Sequence, residues 1–185
     1  MRSPAIPSGP GFRDDWFRRV LGHFPAGLVI VTALCDGVPA GMSVRSFTSV
    51  SLDPPLVAIL PPGTSETWPR IAAAGVFCIN VLTARQEELY RAFAAAAPGQ
   101  DTGRFAGVGW RPARSGAPIL SGTLAWIDCD LERMVPAGDH VIVLGRVRAL
   151  DVEEDEAAEP LVLFQGGYGT FSGRPAAARP AASGR

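Results

Sequence analysis

The chain has 185 residues, a formal charge of -1 and a pI near 6.1, with 47% hydrophobic and 19% charged residues. That length fits one domain able to bury a core without disulfide or metal staples. Its balanced charge offers no basic field to a nucleic-acid backbone or an anionic membrane surface, so neither is expected as a partner.

All 17 basic residues are arginines. A chain without lysine has no Schiff-base chemistry and no GxxxxGK[ST] phosphate loop.

In chain order, residues 1–10 are rich in Pro, Ser, Gly and Ala, and residues 173–185 in Ala, Pro, Arg and Gly. Both are expected to be disordered tails, framing a single domain over 11–172. Phe12, Trp16, Phe17, Val20 and Leu21 recur at spacings of three and four and predict an amphipathic helix ending near Gly22, with Arg13, Asp14, Asp15 and Arg18 toward water. Seven β-rich runs follow: Leu28 to Cys35, Pro39 to Val44, Leu56 to Leu60, Val76 to Leu82, Leu124 to Met134, His140 to Leu150 and Leu161 to Phe164. Asp36-Gly37 between the first two runs signals a tight hairpin, because a type I′ turn needs positive φ at both central positions. Helical spacing over Ser65 to Ala74 and Arg85 to Ala97 predicts two inserts among the strands. Strands in this number with short turns predict a mainly β fold rolled into a barrel, with a few flanking helices.

Cys35, Cys78 and Cys129 lie in separate apolar runs without a CxxC pair and are expected to be reduced core thiols. With no charged-then-apolar leader and no run of 18 apolar residues, the expected compartment is the cytoplasm. Two histidines, His23 and His140, cannot make a three-histidine zinc site, and no metal is expected. His23 reads as a polar residue after a helix end, and Trp16, Trp110 and Trp126 as core or interface aromatics. The nucleophile elbow GxSxG is approached from Gly41 and fails at Arg45. The dinucleotide fingerprint fails after Gly107-Val108-Gly109, so a nicotinamide cofactor would have to bind without a Rossmann unit.

From Gly41 to Pro55, GMSVRSFTSVSLDPP, five hydroxyl residues (Ser43, Ser46, Thr48, Ser49 and Ser51) accompany one cation, Arg45. Strand alternation sends Ser43 and Arg45 to one face and Val44 and Ser46 to the other. On spacing alone the segment reads equally as an anion site or as a polar strand edge before a turn.

Its neighbours decide between the two. With FPAGLVIVTA at 24–33 before it and LVAI at 56–59 after it, the segment resembles the flavin reductase domain of two-component flavin-dependent monooxygenases. The match continues through FCINVL at 77–82, RF at 104–105, AGDHVIVLGRV at 137–147 and PLVLFQGGYG at 160–169, in the family's order. The resemblance implies an FMN-binding split β-barrel, usually a homodimer with its sites near the subunit interface. It implies that Ser43, Val44, Arg45, Ser46 and Phe47 line the isoalloxazine ring and ribityl chain, with Ser49 and Val50 continuing along the flavin. Ser65 and Thr67, in GTSETW, are implied to approach the phosphate, with Trp68 covering part of the flavin. His140 and Tyr168 are implied to lie where the nicotinamide nucleotide binds. The chain departs from the family pattern at 43, usually Thr, and at 45, usually small and polar, where it has Arg45.

The activity so implied is reduction of FMN or FAD by NADH or NADPH, with reduced flavin passing to a separate monooxygenase. Hydride transfer between these cofactors needs little from the protein beyond stacking and exclusion of water, which accounts for the missing catalytic dyad. The alternatives are a flavin- or tetrapyrrole-binding module on the same barrel without turnover, and an oxidase using its own flavin.

Overall fold

The structure, a computed structural model, describes residues 14–95, 101–153 and 158–171. Both expected tails lie outside the described residues. The order is α1 (Asp14–Leu21), β1 (Ala26–Gly27), β2 (Val29–Cys35), β3 (Val38–Val44), β4 (Thr48–Leu52), β5 (Pro55–Ile59), α2 (Thr67–Ala74) and β6 (Val76–Val81). A 3-10 turn, Ala84–Gln86, then runs into α3 (Glu87–Ala95), followed by α4 (Asp101–Arg104), β7 (Trp110–Pro112) and β8 (Pro118–Leu120). The chain continues through β9 (Ala125–Ala137), β10 (His140–Val152), β11 (Val162–Phe164) and β12 (Gly167–Gly169). All seven predicted strands are present. The additional ones are of two or three residues, too short to show a period, except β4, whose hydroxyls hide its alternation.

The main sheet is antiparallel in the order β3-β2-β6-β9-β10-β5-β4. It curls so that inward side chains of β2, β3, β5, β6, β9 and β10 meet in one core, joined by Trp68 and Ile71 of α2. Hydrogen bonding does not close the ring: β3 and β4 are its two free ends, so the barrel expected from the strand count is split at that seam.

The uninterrupted apolar run of β2 has a physical reason. Val29, Val31 and Ala33 point into the barrel, whereas Leu28 and Ile30 enter a second cluster with Tyr90 and Phe93 of α3 and Leu161 near the C-terminus. A strand covered on both faces carries no polar alternation, and each fully buried Val, Ile or Leu contributes about 1.5–3 kcal/mol. The polar exception is Thr32, fully buried beside Asn80. Asn80 Nδ2 donates to the Ile30 carbonyl at 3.2 Å and to Thr32 Oγ1 at 3.1 Å, and its Oδ1 accepts the Leu120 amide at 2.8 Å. This network seats β8 on β2 and β6.

Asp36 and Gly37 both have positive φ, 51° and 78°, as the predicted type I′ hairpin requires. The 13-residue strands β9 and β10 are joined through Gly138-Asp139, where Gly138 has φ 65°. A glycine with positive φ at the first central position is the requirement of a type II′ turn. The GDH motif is therefore a hairpin tip followed by the first residue of a strand. The three cysteines are free and buried. No described helix is long and apolar enough to cross a membrane.

Candidate functional site

The segment singled out in the sequence spans one free end of the sheet, the crossing at 45–47 and the other free end. β3 pairs only with β2, and α2, α3 and α4 all pack against it. The packing is close enough to demand glycine at 41, since a Cβ there would lie 2.7 Å from Phe93 and 3.2 Å from Phe105. Those two rings meet edge to face at 5.3 Å. Arg104 of α4 donates to the Gly41 carbonyl at 2.7 Å and reaches Thr67 Oγ1 at 3.4 Å, tying β3 to the start of α2.

Alternation at the end of β3 runs as the sequence predicts over Ser43, Val44 and Arg45. Val44 is buried in the barrel core, while Ser43 is half-buried and Arg45 exposed. Ser43 and Arg45 both lie close enough to the Tyr90 phenol of α3 to act on it. Burial nevertheless pushes the Tyr90 phenol above its ordinary pKa, against the opposing pull of Arg45 and Ser43. Tyr90 meets Tyr168 of β12 edge to face at 6.0 Å, and Arg91 stacks on the Tyr168 ring at 4.2 Å. Ser43, Arg45 and Tyr168, far apart in sequence, are thus gathered around one helix-borne tyrosine.

Other expected residues are occupied within the fold. Ser46 donates to the Leu60 carbonyl at 3.2 Å and accepts the Leu60 amide at 2.9 Å, stapling the crossing to the end of β5. Phe47 packs partly buried against the barrel core. Ser65 Oγ accepts the Trp68 amide at 3.0 Å and so caps α2, with Met42 Sδ at 3.9 Å on its other side. Thr67 is buried and faces Arg104. Ser49 and Val50 are exposed on β4, where the register shift between Ser49 and Ser51 makes Val50 a bulge. Trp68 does not lie where the resemblance implies, over the segment from Ser43 to Phe47. It is 5% exposed and packs edge to face on Phe77 inside the barrel, because helical spacing aligns it with Ile71 on the inward face of α2.

His140 is half-buried at the start of β10, bridged to Pro62, with its Nδ1 2.7 Å from Asp139 Oδ1. The hydrogen bond and charge of His140 hold the Asp139 carboxyl below the ordinary carboxylate range, and Arg18 of α1 adds to this. The hairpin tip reaches the loop before α2, where the Gly63 amide donates to the Asp139 carbonyl at 2.8 Å. Within one chain, no hydrogen bond or ring contact among the described residues joins His140 to Ser43, Arg45 or Tyr168. His23 is structural as expected, its Nδ1 lying 2.8 Å from the Arg19 carbonyl at the end of α1. Trp16 and Trp110 are not core residues, at 46% and 37% exposure, and the half-buried Trp126 lies under the Arg111 guanidinium at 5.4 Å.

Sequence reasoning does not single out Tyr90, Arg91 or Arg104 for a role. Their signals are a helical period and the RF pair at 104–105, neither of which names a partner. Cavities of about 480 Å³, between α1 and the turn at Gln165-Gly166, and about 400 Å³, around Thr83, Gln86 and Ser121, lie away from β3. Ser43 is half-buried under α3, and exposure begins at Arg45, just beyond the end of β3.

Residues 21–172 match the family model described as the flavin reductase like domain. A flavin reductase from Pseudomonas putida is 49% identical over 159 residues, spanning 85% of this chain and 90% of its own length. The flavin-dependent monooxygenase reductase subunit HsaB of Mycobacterium tuberculosis is 40% identical over 152 residues, 82% of this chain and 79% of that protein. Among solved structures, nitrilotriacetate monooxygenase component B from Mycobacterium thermoresistibile superposes with a TM-score of 0.81 at 38% identity, covering 90% of this chain and 93% of that one. A match over the whole described barrel, including the split seam and the residues around Tyr90, places this chain in the flavin reductase-like family as an NAD(P)H:flavin oxidoreductase.

Proposed function

We propose that the chain binds FMN or FAD along the exposed end of β3 and the crossing to β4, reduces it with NADH or NADPH, and releases it to a separate flavin-dependent monooxygenase. The observation that supports this reading is the convergence at the end of β3: Ser43 and Arg45 close to Tyr90 and Tyr168, and Arg104 with the start of α2 clipped to the same strand. When bound, the two cofactors supply the hydride chemistry between themselves. The chain's residues bind and orient them. Ser43 and the backbone of Val44 and Arg45 face the flavin ring, Ser49 and Val50 border its chain, and the start of α2 with Arg104 takes the phosphate. Arg45 and Arg91 bring two positive charges to this face against the carboxylate of Glu87, which suits a phosphate-bearing ligand. The chemistry of these donors fits the flavin, although Ser46, Ser65 and Thr67 act by shaping the backbone.

His140 and Tyr168 contribute to the nicotinamide side of the same site in a homodimer. The apolar face of α1 supports that assembly: Trp16, Phe17, Val20 and Leu21 are 46–54% exposed, and Phe24 beside them is 77% exposed. A contiguous apolar surface of this kind marks an association site. The exposed stretch from Arg45 onto β4 suits a flavin that must leave, and the cytoplasm, where NAD(P)H is available, is the compartment that fits.

Steady-state oxidation of NADH and NADPH with FMN, FAD and riboflavin tests the reading. Turnover with at least one flavin is expected, with Ser43→Ala raising the flavin KM by roughly 3- to 10-fold through loss of one hydrogen bond. Absence of nicotinamide oxidation with every flavin would overturn it.

A further inference from the structure

The α1 helix presents its polar face, not its apolar one, to the rest of the chain. An amphipathic surface helix ordinarily turns the apolar stripe inward and the charged stripe toward water. In α1 the apolar residues Trp16, Phe17, Val20 and Leu21 are 46–54% exposed. Asp15, Arg18, Arg19 and Gly22 instead line the cavity of about 480 Å³ between the helix and the β11–β12 turn. Spacings of three, four and seven fall on one side of a helix, so the polar stripe itself forms this wall.

Gln165 and Gly166 form the facing wall, and the Gln165 amide donates to the Gly22 carbonyl at 2.9 Å, fixing the turn to the end of the helix. His23 completes the lining. Its Nδ1, 2.8 Å from the Arg19 carbonyl, carries the proton because a carbonyl only accepts, and its ring meets Phe164 edge to face at 6.4 Å.

Basic residues in a last turn commonly serve the carbonyls exposed there. In α1 those carbonyls are already taken. The Gly22 amide donates to Arg18 at 2.9 Å, the His23 amide to Val20 at 3.1 Å and the Phe24 amide to Leu21 at 3.0 Å, with the His23 ring on Arg19. The two guanidiniums are not needed as caps, and they bring two positive charges to a cavity whose one carboxylate is Asp15. The volume is that of a small-molecule site. A carboxylate fills one guanidinium fork, whereas a phosphate or diphosphate has oxygens enough for two.

We infer that the cavity between α1 and the β11–β12 turn binds a phosphate or diphosphate group of a small molecule, with Arg18 and Arg19 as its donors. This site shares no residue with the flavin site given under Proposed function and does not rest on it. Two sources supply the chemistry. One is the nicotinamide dinucleotide, since the Arg18 charge also reaches Asp139 beside His140. The other is a separate phosphorylated molecule.

Calorimetric titration of the full-length chain with sodium pyrophosphate at low ionic strength tests the inference. Binding is expected, weakened about 10-fold in Arg18→Gln and in Arg19→Gln, the worth of one charge-assisted hydrogen bond. Glutamine matches arginine in helix propensity, so the melting temperature should hold in both. Arg114→Gln removes the same charge between β7 and β8, away from the cavity, and should bind as the unsubstituted chain does. Repeating the titration with saturating NAD+ separates the sources: loss of the pyrophosphate heat identifies the dinucleotide, and an unchanged heat identifies a separate ligand.

No binding to the unsubstituted chain overturns the inference, and so does equal affinity in Arg18→Gln and Arg19→Gln, which would leave the two arginines as companions of the helix dipole. Equal weakening by Arg114→Gln overturns it as well, because the effect would then belong to net charge. NADH oxidation with added flavin reads the flavin site independently, so either reading can fail while the other stands.

Discussion

Ser43 and Val44 are neighbours in the chain and lie on opposite sides of the barrel wall, one near Tyr90 and the other in the core. Strand alternation makes that division legible in the sequence alone. The neighbour of Ser43 is not legible there, because Tyr90 is brought to it by helix packing and leaves no mark at a fixed spacing. Trp68 shows the opposite case, where its place beside a site-like loop outweighs the helical period that turns it inward. The buried thiols are readable from their apolar runs, and their environment adds a testable consequence. Burial, reinforced by Asp128, pushes the Cys78 thiol up to about 12 from 9.0. A raised folded-state pKa means that the folded chain holds its proton where the unfolded chain has lost it. The stabilising contribution is thus full below about pH 9 and disappears as pH rises toward about 12. Urea unfolding should show stability declining over that interval, less steeply in Cys78→Ala. Below pH 9 a thiol reagent should label none of Cys35, Cys78 and Cys129 until the chain is unfolded.

At the level of elements, β2, β3, β5, β6, β9, β10 and β11 announce themselves through β-branched runs and turn signals, with ends displaced by up to three residues. β7 and β8 do not, because a three-residue strand is specified by what it docks on. For β8 that support is Asn80, fully buried, which accepts the Leu120 amide and donates to Thr32 and Ile30. Asn80→Ala should therefore destabilise the protein by about 1–3 kcal/mol for each buried partner left unpaired. Amide exchange measured by NMR should quicken first at Leu120, before the centre of β2. Uniform acceleration across both strands would mean that the network does not seat β8 in particular.

For the molecule as a whole, the feature least explained by one chain is α1. Its helical period is plain in the sequence, but the apolar face that period predicts to be covered is exposed, with Val20 and Leu21 each more than half accessible. Two copies joined through these faces would account for the pattern. Val20→Glu is expected to leave the melting curve of the single chain nearly unchanged, because nothing within the barrel depends on that side chain. With two copies joined through α1, it is expected to convert the dimer to a monomer in light scattering and to reduce turnover by parting the residues that the two copies would share at the proposed site. A variant that stays dimeric with full activity would place the interface elsewhere.

The seam between β3 and β4 has a further consequence, for solubility. A strand whose amides and carbonyls lack a neighbour is a template on which another chain can form a ladder. On β4 the bulge at Val50 breaks the regular spacing such a ladder needs. On β3 the Gly41 carbonyl is taken by Arg104, and the helices packed against the strand obstruct approach. The strand at the seam is thus closed to a second polypeptide. Heating that releases α4 removes this guard, so irreversible association should begin at β3 before the barrel itself has come apart.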